Sequence, residues 1–542
     1  MGKVRQSGER RDETRGLVRT SALLGGAALV SRVLGLVRDM CMAWLLGGGM
    51  VADALVVALR LPHVVRRLLG EGSLSMTLTA SLVHLECERG RDAAGYMRSL
   101  AKALSLRLGV IFFSLALLGT FAAPWLVGFL APGFSGEQLE RTSELLCLSL
   151  PYIPCAVMAA LGMAFLHSLG VFWLPAFSPV LFNLVMLGFA AVAVLGSLPP
   201  AVALATGMTC GGVAQWLIQW LAVRRLLSTI PEKPVTDRVK DGNFASDAWA
   251  CVRRLPSGIL GTAAPQLAML LAMALASGME QGQVAALYYA ERLLELPLGL
   301  VGVCLGMASL PKLSRFVVQG EMGLFEEHLS TALRLTLLFI LPAVTGLWAV
   351  GPNLVEGLLC HGSFDGSATL ETGRALLAYL PALPALALNR PLLAACNALN
   401  MESRTAIISA IAATCTFVAG CVLLSGCFSI TGVMLPAVAV DIGMWLQTCL
   451  LMLTLDKALR RVHDVRYTDR QWLPSLAHVM RQIVSAMATG FAAEVCLEYM
   501  DAYDLWARLG CAIVSGALAW YVSLAIVRDG DLSTIVAGFF RY

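Results

Sequence analysis

Charge is scarce in this sequence. Only 14% of its 542 residues are Asp, Glu, Lys or Arg, and 58% are hydrophobic, where a soluble domain carries roughly 25% and 45–50%. With a mean hydropathy of +0.74, water is excluded as the main solvent. Metal-ligand patterns are also lacking. There are 15 cysteines, but Cys147, Cys155, Cys210, Cys304, Cys415, Cys421, Cys449 and Cys511 lie in apolar stretches without ligand spacing or paired-loop placement. They read as small buried apolar side chains. His63, His167, His361 and His478 have no carboxylate or cysteine at ligand spacing, which favours packing or interface placement over metal. Gly47-Gly48-Gly49 is a turn with no phosphate-cradling helix after it. No acidic metal-binding motif and no long external loop offers a catalytic centre. The expectation is therefore a chain that is not an enzyme, without catalytic residues, metal, cofactor or nucleic-acid partner.

What the sequence does contain is apolar segments, near 17–46, 53–83, 97–130, 143–168, 173–195, 199–223, 254–278, 284–311, 330–360, 371–396, 404–426, 430–455, 474–497 and 506–528. They amount to about fourteen candidate spans of an all-α integral membrane protein. The first is preceded by basic residues, as in a signal peptide, but Arg32, Arg38 and Asp39 interrupt it and no small-residue cleavage pattern closes it, so it reads as an uncleaved span. Several segments exceed a bilayer's thickness, which predicts tilted or kinked helices with bends at Pro62, Pro151, Pro154, Pro297 and Pro391. The many small residues, including Gly25-Gly26 and Gly211-Gly212, suit close helix contact in lipid.

Lys and Arg collect in alternate loops. Lys3, Arg5, Arg10, Arg11, Arg15 and Arg19 precede the first span, and further groups occur at Arg89–Arg98, Arg224–Arg254, Lys312–Arg315 and Lys457–Arg470. The intervening loops Gly47–Ala52, Gly196–Pro200, Ser277–Gln283 and Ser425–Ser429 contain none. Positive charge stays inside, so both termini are expected in the cytoplasm, with an even number of spans in a bacterial cytoplasmic membrane. The longest break, with Pro231, Pro234, Asp241, Gly242 and Asn243, reads as a linker between halves. The expected division is an N-terminal lobe at 1–228, a cytoplasmic linker at 229–253, a C-terminal lobe at 254–460 and a final loop with two spans at 461–542. A short echo, Leu59-Arg60-Leu61-Pro62 against Leu294-Glu295-Leu296-Pro297, suggests that the halves are repeats.

Ionisable groups inside spans cost a few kcal/mol each, and they normally face a wet cavity, a partner or a substrate. They gather in spans one, two and eight: Arg32, Arg38 and Asp39; Asp53, Arg60, His63, Arg66, Arg67 and Glu71; Glu291, Arg292 and Glu295. A guanidinium binds phosphate oxygens through two parallel donors and keeps its charge when partly desolvated, so Arg32, Arg38, Arg66 and Arg292 are candidates for an anion-binding cavity. Asp39, Arg67, Glu71, Glu291 and Glu295 are then expected to support them. The competing reading is internal pairing: Arg67 with Glu71, Arg292 with Glu295, and Arg38 or Arg32 with a carboxylate on a neighbouring helix. Asp441 in span twelve is a candidate for ion coupling or for pairing with Arg390, while Asn183 and Asn389 read as interhelical hydrogen-bond glue.

Three stretches resemble the MurJ/MviN lipid II flippases: Ser31-Arg32-Val33-Leu34-Gly35-Leu36-Val37-Arg38-Asp39; Asp53-Ala54 with Leu61-Pro62-His63-Val64-Val65-Arg66-Arg67-Leu68-Leu69-Gly70-Glu71-Gly72-Ser73; and Tyr288-Tyr289-Ala290-Glu291-Arg292-Leu293-Leu294-Glu295-Leu296-Pro297. Ala131-Pro132-Gly133-Phe134 is similar to a further family segment. The resemblance implies the multidrug/oligosaccharidyl-lipid/polysaccharide exporter fold, with two six-helix lobes around a central cavity and two C-terminal helices forming a groove for a lipid tail. It implies lipid II as the substrate, moved from the cytoplasmic to the periplasmic leaflet by alternating access for peptidoglycan synthesis, with Arg32, Arg38, Arg66 and Arg292 as cavity arginines and Asp53 as a further important acid. Thr405–Leu424 lacks the acid and amide that some members use for a sodium site, a departure that puts ion coupling in doubt and leaves the membrane potential or another ion gradient as the expected energy source. Membrane lipids are the other expected partners, and the working form is expected to be a monomer. The alternatives are a flippase for another polyprenyl-linked oligosaccharide and a multidrug exporter of the same superfamily, whose cavity would favour acids and aromatics over arginines.

Overall fold

The computed structural model describes residues 25–68, 93–229, 263–301, 307–425, 432–462 and 472–527, whose regular structure is entirely helical. These residues sort into two compact units: 25–45, 54–68, 93–128 and 135–229 form one, and 46–53, 129–134 and the described residues from 263 onward form the other. Among the described residues eight helices are long and apolar enough to cross a bilayer, or nine when one bent pair counts as a single span. Three further helices fail that test because of their charges. These are α1 (residues 25–46), with Arg32, Arg38 and Asp39, α2 (Met50–Leu68), with Asp53, Arg60, Arg66 and Arg67, and α10 (Gln283–Val301), with Glu291, Arg292 and Glu295.

The first unit contains α1 (residues 25–46), the greater part of α2, then α3 (Ala93–Phe121), α4 (Ala123–Leu130), α5 (Gly136–Ser149), α6 (Tyr152–Ser168), α7 (Trp173–Val194) and α8 (Pro200–Thr229). Its core lies where α3, α6 and α8 meet, with Leu104, Leu161, Phe165 and Val223 fully buried. Close approach depends on Gly211 and Gly212: a Cβ at either would strike the Phe182 or the Tyr152 ring. At Gly25 and Gly26 a Cβ meets nothing within 4 Å among the described residues.

The second unit contains α9 (Ala264–Ala276), α10, α11 (Met307–Gln319), α12 (Met322–Leu359), α13 (Gly366–Tyr379), α14 (Ala382–Ala398), α15 (Glu402–Leu424), α16 (Met434–Val462), α17 (Leu476–Tyr499) and α18 (Leu505–Val527). Leu313, Phe325, Leu392, Leu451 and Trp472 form its main core. The terminal pair α17–α18 docks on α12 through Val350, Ala493, Leu497, Leu509 and Ala512.

The same series of helix lengths occurs in both units. Helices of 14 and 17 residues (α5, α6), then 22 and 30 (α7, α8), are matched by 14 and 17 (α13, α14), then 23 and 29 (α15, α16). Each split span breaks at a Leu-Pro-x-x-Pro sequence, Leu150–Pro154 and Leu380–Pro384. In the second unit the two pieces are bent by 49°. The physical cause is the proline that begins each second piece: it lacks the N–H for the preceding ladder but fits the start of a new helix. Pro391, Pro62 and Pro297, further expected bends, lie within α14, α2 and α10. Matching buried hydrogen bonds accompany the matching lengths: Gln219 Nε2 donates to Ser178 Oγ between α7 and α8 at 2.8 Å, and Gln447 Nε2 to Ser409 Oγ between α15 and α16 at 3.4 Å.

Candidate functional site

The charged segment of α1 is organised around Arg38. Its Nη2 and Nε donate to Asp39 Oδ1 at 2.8 and 3.0 Å, and its Nη1 to Asn183 Oδ1 on α7 at 3.1 Å. Asn183 Nδ2 returns a bond to the Ser31 carbonyl at 2.9 Å, so the asparagine does tie α1 to α7. Adjacent residues on a helix rarely face one another; here Arg38 turns its long side chain to reach the buried Asp39. Arg32 is half-buried and, among the described residues, has no hydrogen-bond or ion-pair partner. Arg66 and Arg67 lie half-buried in the last turn of α2, and Arg60 is buried one helical stretch earlier. Glu71, proposed as the partner of Arg67, lies outside the described residues.

Asp53, only 1% exposed, belongs to the second unit. Its two carboxylate oxygens accept the backbone N–H groups of Gly282 at 2.6 Å and Ala285 at 2.7 Å, and so cap the N-terminus of α10. A carboxylate there satisfies amides with no partner inside the helix and meets the positive end of the helix dipole. Gly282 has φ +92°, and a Cβ on it would run into the Gly48 carbonyl, so only glycine serves at this cap. Farther along α10, Arg292 Nη1 donates to Glu295 Oε2 at 2.8 Å, and its guanidinium carbon sits 4.5 Å from the Tyr288 ring centroid. Ion pair and ring hold that guanidinium on one side of the helix. Glu291 beside it is buried.

Asp441 on α16 does not pair with Arg390, which is exposed. It is buried, and its Oδ1 has no partner among the described residues. Asn389 is glue: its Nδ2 donates to Gln447 Oε1 at 3.0 Å, and Thr448 Oγ1 donates to its Oδ1 at 2.9 Å. Among the described residues no three His, Cys, Asp or Glu side chains group to hold a metal ion.

The first unit thus brings together Ser31, Arg38, Asp39 and Asn183, and the second brings together Tyr288, Arg292 and Glu295. The amides that receive Asp53 escaped sequence reading because main-chain donors leave no residue signature. Gly-Gln at 282–283, just ahead of the helical run, was the available signal for the first.

Comparison with known proteins agrees with this layout. The family model described as lipid II flippase MurJ matches residues 42–507. A probable lipid II flippase MurJ of Rhizobium meliloti is 29% identical over 540 residues, covering 96% of this chain and 95% of its own. One from Vibrio cholerae is 31% identical over 373 residues, 67% of this chain and 69% of its own. Among solved structures, a lipid II flippase MurJ in an inward closed conformation superposes with a TM-score of 0.74 at 19% identity, covering 94% of this chain and 99% of the other. An inward-facing multidrug resistance MATE transporter of the MOP superfamily superposes at 0.64 with 15% identity, covering 82% and 99%. With a family model spanning most of its length, and with intramembrane arginines and acids on the spans where the sequence places them, the chain belongs to the MurJ family of lipid II flippases.

Proposed function

We propose that this chain is a lipid II flippase of the bacterial inner membrane, carrying the undecaprenyl-diphosphate-linked peptidoglycan precursor from the cytoplasmic to the periplasmic leaflet. Family membership supports the substrate, and the arginines supply a chemistry that fits it. A diphosphate needs donors that stay charged in a poorly solvated site, and guanidinium groups meet that need. The observation that carries the reading is the contrast within α1. Arg38 is aimed by Asp39 and Asn183, whereas Arg32 has no partner among the described residues and keeps its donors for a ligand. Arg66 and Arg292 complete the cationic set, with Arg67, Glu291 and Glu295 supporting them. The head group passes by alternating access while the polyprenyl tail stays in lipid along α17 and α18, and no covalent step is involved.

Net positive charge in the emptied cavity couples its return to the membrane potential, at about 2.3 kcal/mol per charge per 100 mV. Asp441, a buried acid with one carboxylate oxygen unpartnered among the described residues, is the place where a coupling ion would act. The protein works as a monomer. A cationic-drug exporter of the same superfamily is disfavoured by the same arginines, which would repel its cargo.

The test is complementation of a flippase-depleted strain. Arg32→Ala and Arg292→Ala should insert normally yet fail to support growth, with lipid-linked precursor accumulating on the cytoplasmic side. Full growth with inserted variants would reject the arginine role. Restored growth without precursor translocation would reject the substrate.

A further inference from the structure

An open apolar groove of about 720 Å³ runs along α15 in the second unit, lined by Ile407, Ile411, Thr414, Val418 and Val422, with Ile442 of α16 on its flank. Their spacing of three or four residues places the α15 side chains on one helix face, and from Ile407 to Val422 that face is about 22 Å long. The one hydroxyl in the lining is already engaged, since Thr414 Oγ1 donates to the Ala410 carbonyl at 2.9 Å. The groove therefore suits hydrocarbon.

One end of the groove is cationic. Arg404 stands three residues before Ile407 and seven before Ile411, on the same face of α15. It is exposed and has no hydrogen-bond or ion-pair partner among the described residues. α16 runs antiparallel to α15, because Gln447 meets Ser409 while a Cβ on Gly443 would strike Thr416. The end of α16 therefore lies beside the beginning of α15, with Leu453 about level with Arg404 and Lys457 one turn, roughly 6 Å, beyond. Ile442, Cys449, Leu453 and Lys457 are all exposed and recur at seven- and four-residue spacing, so Lys457 shares the face that Ile442 gives to the groove. Lys457 likewise has no partner among the described residues. The carboxylates nearest in sequence do not neutralise the two cations. Glu402 is two residues from Arg404 and so about 200° around the helix, and Asp456 accepts Arg460 Nε at 3.0 Å.

Two cations at the end of a hydrocarbon-lined groove match a molecule with an anion at its head and a long apolar chain behind it. One leaflet contributes about 15 Å of hydrocarbon, half of a core about 30 Å thick, so the groove takes an acyl chain lengthwise. A guanidinium grips phosphodiester oxygens through two parallel donors, and an ammonium adds a point charge beside it. The ammonium of a zwitterionic headgroup would be repelled by both. We propose that this groove binds one anionic phospholipid, with its phosphate on Arg404 and Lys457 and an acyl chain along Ile407 to Val422.

The test is native mass spectrometry of the detergent-purified full-length protein titrated with phosphatidylglycerol, phosphatidylethanolamine, phosphatidylcholine and soluble glycerophosphoglycerol. The parent should bind phosphatidylglycerol about tenfold tighter than either zwitterionic lipid, the effect of two cations beside one headgroup. Arg404→Gln combined with Lys457→Gln should erase that preference, whereas Lys102→Gln, which removes an exposed cation of the first unit, should keep it. Ala410→Trp fills the groove with both cations in place and should weaken all three lipids. Equal affinities across the lipids in the parent, or an undiminished preference in the double variant, would overturn the proposal. An equal loss in Lys102→Gln would overturn it too, by tracing the preference to diffuse surface charge. Glycerophosphoglycerol binding as tightly as the lipid would overturn the acyl chain as occupant and leave a soluble phosphodiester in its place. A dimer that Ala410→Trp abolishes would put a second copy of the chain on the groove instead.

Discussion

Three carboxylates in this chain do three different jobs, and their partners decide which. Asp39 aims a guanidinium, Asp53 caps a helix with both oxygens, and Asp441 is buried with one oxygen unpartnered among the described residues. For Asp53 the consequence is measurable. Asp53→Ala strands two buried N–H groups and should cost about 1–3 kcal/mol, seen as a lower unfolding midpoint in detergent. Asp53→Asn, which keeps one acceptor oxygen, should lose less. Equal midpoints for both variants and the parent would show that the cap contributes nothing. The sequence marks all three acids as misplaced in an apolar setting, but their partners include main-chain amides that only a folded chain brings near.

Among the elements, contact geometry separates glycines that composition treats alike. Gly212 sits against the fully buried Tyr152 ring, so Gly212→Ala forces an overpacked α6–α8 contact costing about 1–3 kcal/mol. A methyl added at Gly188 on α7 meets nothing within 4 Å among the described residues, and Gly188→Ala should leave thermal stability unchanged or slightly raised. A matching loss in both variants would mean that the contact with Tyr152 is not what makes Gly212 necessary. The prolines teach the same lesson. Pro62, Pro297 and Pro391 are absorbed within helices, whereas Pro151 and Pro381 begin new ones. Every proline lacks an N–H, and the packing of neighbouring helices determines whether that loss breaks the helix.

For the molecule as a whole, the repeated helix lengths give the four-residue echo between α2 and α10 a structural counterpart. The polarity of the chain across the membrane rests on its lysines and arginines. A fluorescent reporter that matures only in the cytoplasm, fused after Tyr542, should be bright, and an export-dependent phosphatase at the same position should be inactive. The opposite pair of results would require either an odd number of spans or an inverted orientation of the whole chain.

By itself the sequence determined the all-helical membrane class, most span positions to within a few residues, and the spans that bear the charges. Each follows from composition and spacing along the chain, because lipid penalises exposed main chain and charge wherever they occur. Only the tertiary structure decided which guanidinium is tied among the described residues, and where the spans break. Those outcomes depend on side chains and amides from separate helices meeting at about 3 Å, a condition that no spacing within one helix encodes.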